Sequence, residues 1–223
     1  MKFNQIIYNG HSGSSELCNI GLKYGTDKSP LVKNSHAYTC FYNLLFSTLK
    51  YKNISFGEIG IYKNFSMKMW REYFHNANLY GWDCFPEQSG EKRYQEYDFV
   101  QSAKNDFLHN TFYDYMNVKD EQSIDTSLKK TNTKFDVLID DSDHDFWSQI
   151  RIIRNAVNYI KPGGILIIED VEFKVYQYFD LVCEYGHDKF YDVFTQVKTL
   201  HNNQKHGSDC DELIILTRNE VEQ

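Results

Sequence analysis

The stretch NISFGEIGIYKNFSMKMWREYFHNANLYGWD, Asn53 to Asp83, decides the fold. Its opening, NISFGEIGI, is rich in β-forming residues and breaks at glycine, so it reads as a strand over 53–61 that ends in a turn. SMKMWREYFHNA then repeats Met67, Trp70, Tyr73 and Phe74 at helical spacing, the core stripe of an amphipathic helix over 66–77 rather than a binding box. NLYGWD returns as a short strand over 78–83 that closes on an acid. Strand, turn, helix and strand make a βαβ unit, which requires a parallel sheet.

Outward from this unit the alternation continues. DFVQSAKNDF (98–107) reads as a helix, NTFYDYM (110–116) as the third strand and FDVLIDD (135–141) as the fourth. DFWSQIRIIRNAVNYI places Phe146, Ile150, Ile153, Val157 and Ile160 on one helical face and is stopped by Lys161, Pro162, Gly163 and Gly164. GILIIED (164–170) is a fifth strand, as apolar as one covered on both faces. After a helical KVYQYFDLVCEYG come two strands, YDVFTQVKTL and DELIILTRN, joined by a polar loop. With no crossover helix between them they pair antiparallel and add an edge hairpin to the sheet. Residues 1–50 stand outside the alternation and are expected to form a helical cap over the site, with 51–223 as the α/β core.

Composition sets the surroundings. The 223 residues, 41% hydrophobic and 16% aromatic, suit one packed core, so 1–223 is expected to be a single domain. A net charge of −7, from 24 Lys+Arg against 31 Asp+Glu, lacks the basic footprint of a nucleic-acid partner. Cys18, Cys40, Cys84, Cys183 and Cys210 are scattered without metal or disulfide spacing and read as free, mostly buried thiols, as in a reducing compartment. No apolar run is long enough for a membrane helix and no cleavable leader is evident, so a cytoplasmic location is expected. The aromatic run YTCFYNLLF, if exposed, would be a subunit contact in a homo-oligomer.

The chemistry falls at strand ends, where a parallel sheet gathers ligands. Glu58 and Gly60 follow the first strand, Asp83 the second, and KFDVLIDDSDHDF (134–146) crowds carboxylates after the fourth. A glycine turn permits close backbone approach, and a carboxylate after the second strand can take ribose hydroxyls, which suits an adenosine-containing cofactor. Only one glycine of a dinucleotide fingerprint is present, so the pyrophosphate cradle of nicotinamide cofactors is missing. A donor without phosphates, S-adenosylmethionine, needs less of that turn. Asn64 stands in for a glycine because asparagine enters the left-handed region readily.

Four phrases, GLKYGTDKS, FGEIGIYKNFSMKMWREYFHNANLYGWD, FDVLIDDSDH and IKPGGILIIEDVE, together resemble class I S-adenosylmethionine-dependent methyltransferases. The resemblance is to the group containing metal-dependent macrolide-sugar and polysaccharide-locus O-methyltransferases, and it runs from about Gly21 to Val171. It implies a Rossmann-like sheet with the donor near Glu58, Gly60, Asn64, Ser66, Asp83, Asn117 and Asp140. It further implies Mg²⁺ on Asp141, Glu169 and Asp170, with His144 as the base beside Asp141. KYGTDKS would line the site through Tyr24, Thr26, Asp27 or Lys28, with His36 as a further visitor; the plainer reading of that phrase is a polar interhelical loop. Two departures stand out: Asn64 replaces a glycine, and DDSDH replaces the more usual DDGSH. Asp143 and Asp145 read as helix N-terminal charges.

The implied metal agrees with the chemistry of the residues. Adjacent parallel strands bring their ends close, and carboxylates converging on a hard cation are how magnesium is held. A hydroxyl with a pKa of ~15 is a poor match for an imidazole near ~6.5, and a divalent cation closes part of that gap. The expected activity is transfer of a methyl group to a hydroxyl of a small polar acceptor, a sugar, nucleotide-linked sugar or surface-glycan precursor, with a catechol-like phenol also compatible. Two other readings stay open: a nicotinamide-dependent sugar oxidoreductase, and a catalytically silent methyltransferase-like binding subunit.

Overall fold

The structure is a computed structural model that describes residues 1–9, 15–200 and 210–220. Its centre is a parallel array of β2 (Ser55–Ile59), β3 (Asn78–Asp83), β4 (Thr111–Tyr115), β5 (Phe135–Asp140) and β6 (Ile160–Ile168). β7 (Tyr191–Leu200) and β8 (Cys210–Arg218) form the antiparallel pair, and β8 also runs antiparallel to β6. β1 (Lys2–Asn9) lies parallel to β7, which completes an eight-stranded sheet in the order β1-β7-β8-β6-β5-β2-β3-β4. The chain runs from β2 outward through β3 and β4, then crosses back to β5 and β6. The crevice between β2 and β5 is therefore the topological switch point, where ligands of such sheets collect.

Helices cover both faces, as expected. α1 (Glu16–Tyr24), α2 (Tyr38–Phe46), α3 (Phe65–Tyr73) and α4 (Phe99–Lys104) share one core with Phe56, Val137, Ile139 and Ile167. α5 (Glu121–Lys130), α6 (Phe146–Ala156) and α7 (Val175–Glu184) share the other with Leu138, Leu166 and Ile168. Successive residues of β5 and β6 thus alternate between two dry layers, which is why both strands read as unbroken apolar runs. In the first layer Phe56 packs on Trp70 and Phe74 with ring centroids 4.9 and 5.0 Å away.

Several expectations need correction. Residues 1–50 are not all helical, because β1 joins the sheet; α1 and α2 supply the cap over the site. The C-terminal pair is consequently not at the edge, since β1 satisfies the outer backbone groups of β7. YTCFYNLLF is not an exposed contact: Tyr38, Phe41, Tyr42 and Phe46 are core residues, and Leu44 at 62% is the side chain of that stretch that faces solvent. The helix expected to reach Ile160 stops at Ala156 and tightens into a 3₁₀ turn, and Lys161 to Gly164 sit inside β6. Those residues form an irregularity against β5, where Phe135 pairs Ile160 but Val137 pairs Ile165; Pro162 has no N–H to give a ladder, and Gly163 takes φ +74°. The first strand ends at Ile59, before Gly60 turns left-handed. α5 was not anticipated: with only Ile124 and Leu128 as its apolar stripe, EQSIDTSLKK looks polar throughout. The polar loop 201–209 lies outside the described residues. Among the described residues no helix is long and apolar enough to cross a membrane.

Candidate active site at the carboxyl ends of the strands

Gly60 opens the crevice. Its φ is +91°, and a Cβ on it would stand 2.0 Å from the carbonyl oxygen of Asp141. Only glycine lets the turn after β2 press against the turn after β5, and that contact is reinforced by the Asp141 N–H donating to the Ile59 carbonyl at 2.8 Å. Asn64, at φ +66°, takes the left-handed conformation that its identity suggested. Its side chain is committed inward, accepting from Tyr113 Oη and donating to Asp106, each at 2.8 Å, so it shapes the loop as a structural residue. Asp83 ends β3 and accepts from the backbone N–H groups of Tyr62 and Cys84 at 2.8 Å, which ties the glycine loop to the second strand. Asn117 accepts from the Lys119 N–H in the turn after β4.

Glu58 is fully buried, facing α3, and accepts from Trp70 Nε1 at 2.6 Å and from Ser66. Burial pushes its carboxyl up to about 7 against the opposing pull of Lys28. Asp140, the last residue of β5, is also buried; its Oδ1 accepts from the Ser142 N–H at 3.2 Å, and its Oδ2 has no hydrogen-bond partner among the described residues. Burial raises it to about 7.

Asp141, His144 and Asp170 are brought together. One ligand atom from each lies within 4.8 Å of the others. His144 Nε2 is 3.3 Å from Asp141 Oδ1 and 3.4 Å from Asp170 Oδ2, which gives the imidazole two anionic neighbours. Burial works against its charge, but those carboxylates hold its pKa up at about 10. Asp141 is likewise opposed by burial, yet Lys28 and His144 bring it down to about 2. Both His144 (φ +56°) and Asp170 (φ +50°) occupy left-handed backbone, uncommon outside glycine, and such conformations concentrate where function over-determines the fold. Asp145 caps α6 by accepting from the N–H groups of Trp147 and Ser148, and Asp143 accepts from Ser148 Oγ, so the helix-terminal reading of both acids holds.

Glu169, expected beside Asp170 as a third metal carboxylate, lies deeper than the group formed by Asp141, His144 and Asp170. Its Oε1 accepts from Tyr42 Oη at 2.7 Å and its Oε2 from Lys28 Nζ, inside the protein. Lys28 is the part of KYGTDKS that reaches the site, with its ammonium also 2.5 Å from Asp141 Oδ2 and 3.6 Å from Glu58 Oε1. Thr26 is buried beneath it and its Oγ1 accepts from the Lys28 N–H at 3.5 Å. Tyr24 points elsewhere, donating to Glu72 on α3, and the Asp27 side chain is exposed. His36 does visit the site, with Nδ1 3.3 Å from Asp170 Oδ1 and 2.9 Å from Asp211 Oδ2. Burial opposes its charge and Asp211 and Asp170 raise it to about 9.

Sequence reasoning missed three contributors. Tyr38 Oη donates to Asp170 Oδ1 at 2.6 Å, Tyr42 to Glu169, and Asp211 on β8 receives His36. The two tyrosines stand four apart on α2, a spacing that puts both hydroxyls on one face; that was the available signal.

A sequence model of the family described as a methyltransferase domain matches residues 58–171. A curated relative, the 8-demethyl-8-(2-methoxy-alpha-L-rhamnosyl)-tetracenomycin-C 3'-O-methyltransferase of Streptomyces olivaceus, is 25% identical over 167 residues, covering 72% of this chain and 38% of that protein. Among solved structures, the MycE methyltransferase of the mycinamycin biosynthetic pathway, in complex with Mg, SAH and mycinamycin VI, superposes with a TM-score of 0.65 at 16% identity over 93% of this chain and 56% of MycE. An O-methyltransferase from Bacillus cereus in complex with SAH gives 0.59 at 12% identity, covering 93% of both chains. The chain thus spans well under two thirds of the length of the tetracenomycin enzyme and of MycE.

Proposed function

The chain belongs to the class I S-adenosylmethionine-dependent methyltransferase family, and from that premise we propose that it moves the sulfonium methyl group to a hydroxyl of a small polyhydroxylated acceptor. The acceptor class we favour is a sugar or nucleotide-linked sugar that serves as a surface-glycan precursor. The observation that carries this reading is the meeting of Asp141, His144 and Asp170 within 4.8 Å at the ends of β5 and β6, beside the switch point. The tetracenomycin relative, whose name places its methylation on a rhamnosylated product, and MycE, solved with Mg and SAH, favour the same chemistry.

In this reading the donor lies over the Gly60 turn, with Asp83, Asn117 and Asp140 around it. The residues present fit a magnesium ion: the Asp141 and Asp170 carboxylates are the hard oxygen donors such an ion takes, and they would hold it there. When bound there, the ion would supply Lewis acidity that brings a hydroxyl pKa down by several units. His144 does the proton chemistry. Beside the Asp141 and Asp170 carboxylates its Nε2 keeps a proton at neutral pH, and it becomes a base once their pull on that proton is reduced. It then takes the acceptor proton while the oxygen attacks the methyl carbon and the carbon–sulfur bond breaks, leaving S-adenosylhomocysteine. Tyr38 and His36 hold Asp170, and Lys28 holds Asp141, so the two carboxylates are positioned before substrate arrives.

Methyl transfer from labelled S-adenosylmethionine to a panel of nucleotide sugars, with and without EDTA, tests the proposal. Transfer that the chelator abolishes and Mg²⁺ restores is expected. Full activity in EDTA would remove the metal, and transfer to catechol alone would move the acceptor class. Calorimetry with S-adenosylhomocysteine and with NAD separates the oxidoreductase reading, since only the former should bind.

A further inference from the structure

Cys18 and Cys40, 22 positions apart, read as unrelated thiols in the sequence, and the cap brings them together. Cys18 stands in the first turn of α1 and Cys40 in the first turn of α2; both are buried, and their sulfurs are 3.2 Å apart. Two hydroxyls also close on the Cys18 sulfur, Ser15 Oγ at 3.0 Å and Thr39 Oγ1 at 3.2 Å. A neutral thiol is a weak acceptor, so this convergence of donors at a helix N-terminus suits a thiolate. The Cys40 thiol foremost, with Ser15 and Thr39, holds Cys18 down at about 5 against its burial, and the same contact raises Cys40. One thiolate beside one thiol is the arrangement from which a disulfide closes.

We infer that Cys18 and Cys40 form a reversible redox site that closes to an intramolecular disulfide, with hydrogen peroxide as the oxidant, and staples the two cap helices together. The Cys18 sulfur attacks one peroxide oxygen, the O–O bond breaks and hydroxide leaves, to be protonated from solvent; Cys18 is then a sulfenic acid. The Cys40 sulfur attacks the sulfenic sulfur, the S–O bond breaks, and the departing hydroxyl takes the Cys40 proton and leaves as water. Two thiols thus lose two electrons and two protons, and one peroxide becomes two waters. Thiol–disulfide exchange with an external dithiol reverses the bond. From 3.2 Å the sulfurs need approach by only about 1 Å to reach the ~2.05 Å of a disulfide. The closed loop would contain Lys28, His36 and Tyr38, the cap residues that hold Asp141 and Asp170. Ser29 Oγ already ties that loop to the Cys18 carbonyl at 2.7 Å. Neither the metal nor the acceptor enters this chemistry.

The full chain is reduced with dithiothreitol, freed of reductant, treated with hydrogen peroxide in the folded state, blocked with N-ethylmaleimide and mapped by mass spectrometry. A Cys18–Cys40 linked peptide should account for most of the protein and vanish on renewed reduction. Oxidised wild type should melt roughly 5–10 °C above reduced wild type, because the bond restricts the unfolded chain. Cys40→Ser should stop at a sulfenic acid that dimedone traps on Cys18, and should show no such rise. If Cys40→Ser does not fold, the wild-type map and melting shift decide alone. Links from Cys18 to Cys84 or Cys183 instead, oxidation that spares Cys18 and Cys40, or no oxidation of any cysteine would overturn the inference. A Cys18–Cys40 bond that leaves the melting temperature unchanged or lower would overturn it too, since the folded cap would then not accommodate the staple.

Discussion

Replacing Gly60 by alanine should damage stability and donor binding together. Alanine at φ +91° carries the left-handed penalty, about 1–2 kcal/mol. Its Cβ would stand 2.0 Å from the Asp141 carbonyl oxygen, 2.5 Å from the carbonyl carbon and 2.7 Å from Ser142 Cα, all backbone atoms with no rotamer to escape into. To restore contact distance the turn after β5 must retreat by about 1 Å, an overpacking strain of ~1–3 kcal/mol. The retreat also stretches the Asp141 N–H bond to the Ile59 carbonyl, now 2.8 Å. The combined loss is about 3 kcal/mol, which in a chain of this size lowers the melting temperature by roughly 6–12 °C. Because the same movement carries the Asp141–His144 turn out of place and alters the crevice at the switch point, S-adenosylhomocysteine affinity should fall by at least ~10-fold. Scanning fluorimetry and calorimetry read both effects. A variant that melts within about 2 °C of wild type and binds S-adenosylhomocysteine unchanged would refute the argument that these two turns need a bare backbone between them.

Asp140→Asn tests the buried carboxyl whose Oδ2 has no hydrogen-bond partner among the described residues. A folded-state pKa of about 7 against an ordinary 3.8 means the native state binds the proton more tightly than the unfolded chain, so stability falls as pH rises from ~4 to ~7, by ~4 kcal/mol in all. Urea titrations should therefore show the variant gaining on wild type between pH 4 and pH 8, and a difference flat in pH would contradict the assignment. His144→Asn keeps a residue that accepts left-handed backbone and removes the base, so kcat should fall by ~10²–10⁴ with S-adenosylhomocysteine affinity preserved; loss of less than ~10-fold would remove His144 from the proton transfer. Tyr42→Phe deletes the 2.7 Å donor to a buried carboxylate and should cost about 1.5–3 kcal/mol in chemical denaturation, whereas an effect near zero would mean that Glu169 is neutral or differently held. Phe56→Ala, in the aromatic cluster under β2, should lower stability by ~3–5 kcal/mol and serves as the core reference for the site variants.

Much of this was legible because strand and glycine signals are local. FGEIG and FDVLID each declare a buried strand and its end from composition alone, and the alternation of such runs with helical stripes settles a parallel sheet. Asn64 and Gly60 were readable for the same reason: a left-handed requirement selects residue type directly. What the sequence hid was non-local. KFNQIIYN gives no sign that its partner is β7, almost two hundred residues away, so β1 was taken for part of the cap. Glu169 and Asp170 look equivalent on paper, and only the fold gives them different partners, Lys28 and Tyr42 for Glu169, Tyr38, His36 and His144 for Asp170. Lys28 stood as one of four candidates in KYGTDKS, and nothing local singles it out, because the three carboxylates around its ammonium come from distant strands.

The central claim is that Asp141, Asp170 and His144 form the ion and proton centre beside the methyl donor. Crystals grown with S-adenosylhomocysteine and Mn²⁺, measured at the manganese edge, address it most directly. The account predicts one anomalous peak in coordinating reach of Asp141 and Asp170, with His144 beside it and the cofactor sulfur facing the same crevice. A peak elsewhere, or a cofactor seated away from the Gly60 turn, would contradict it.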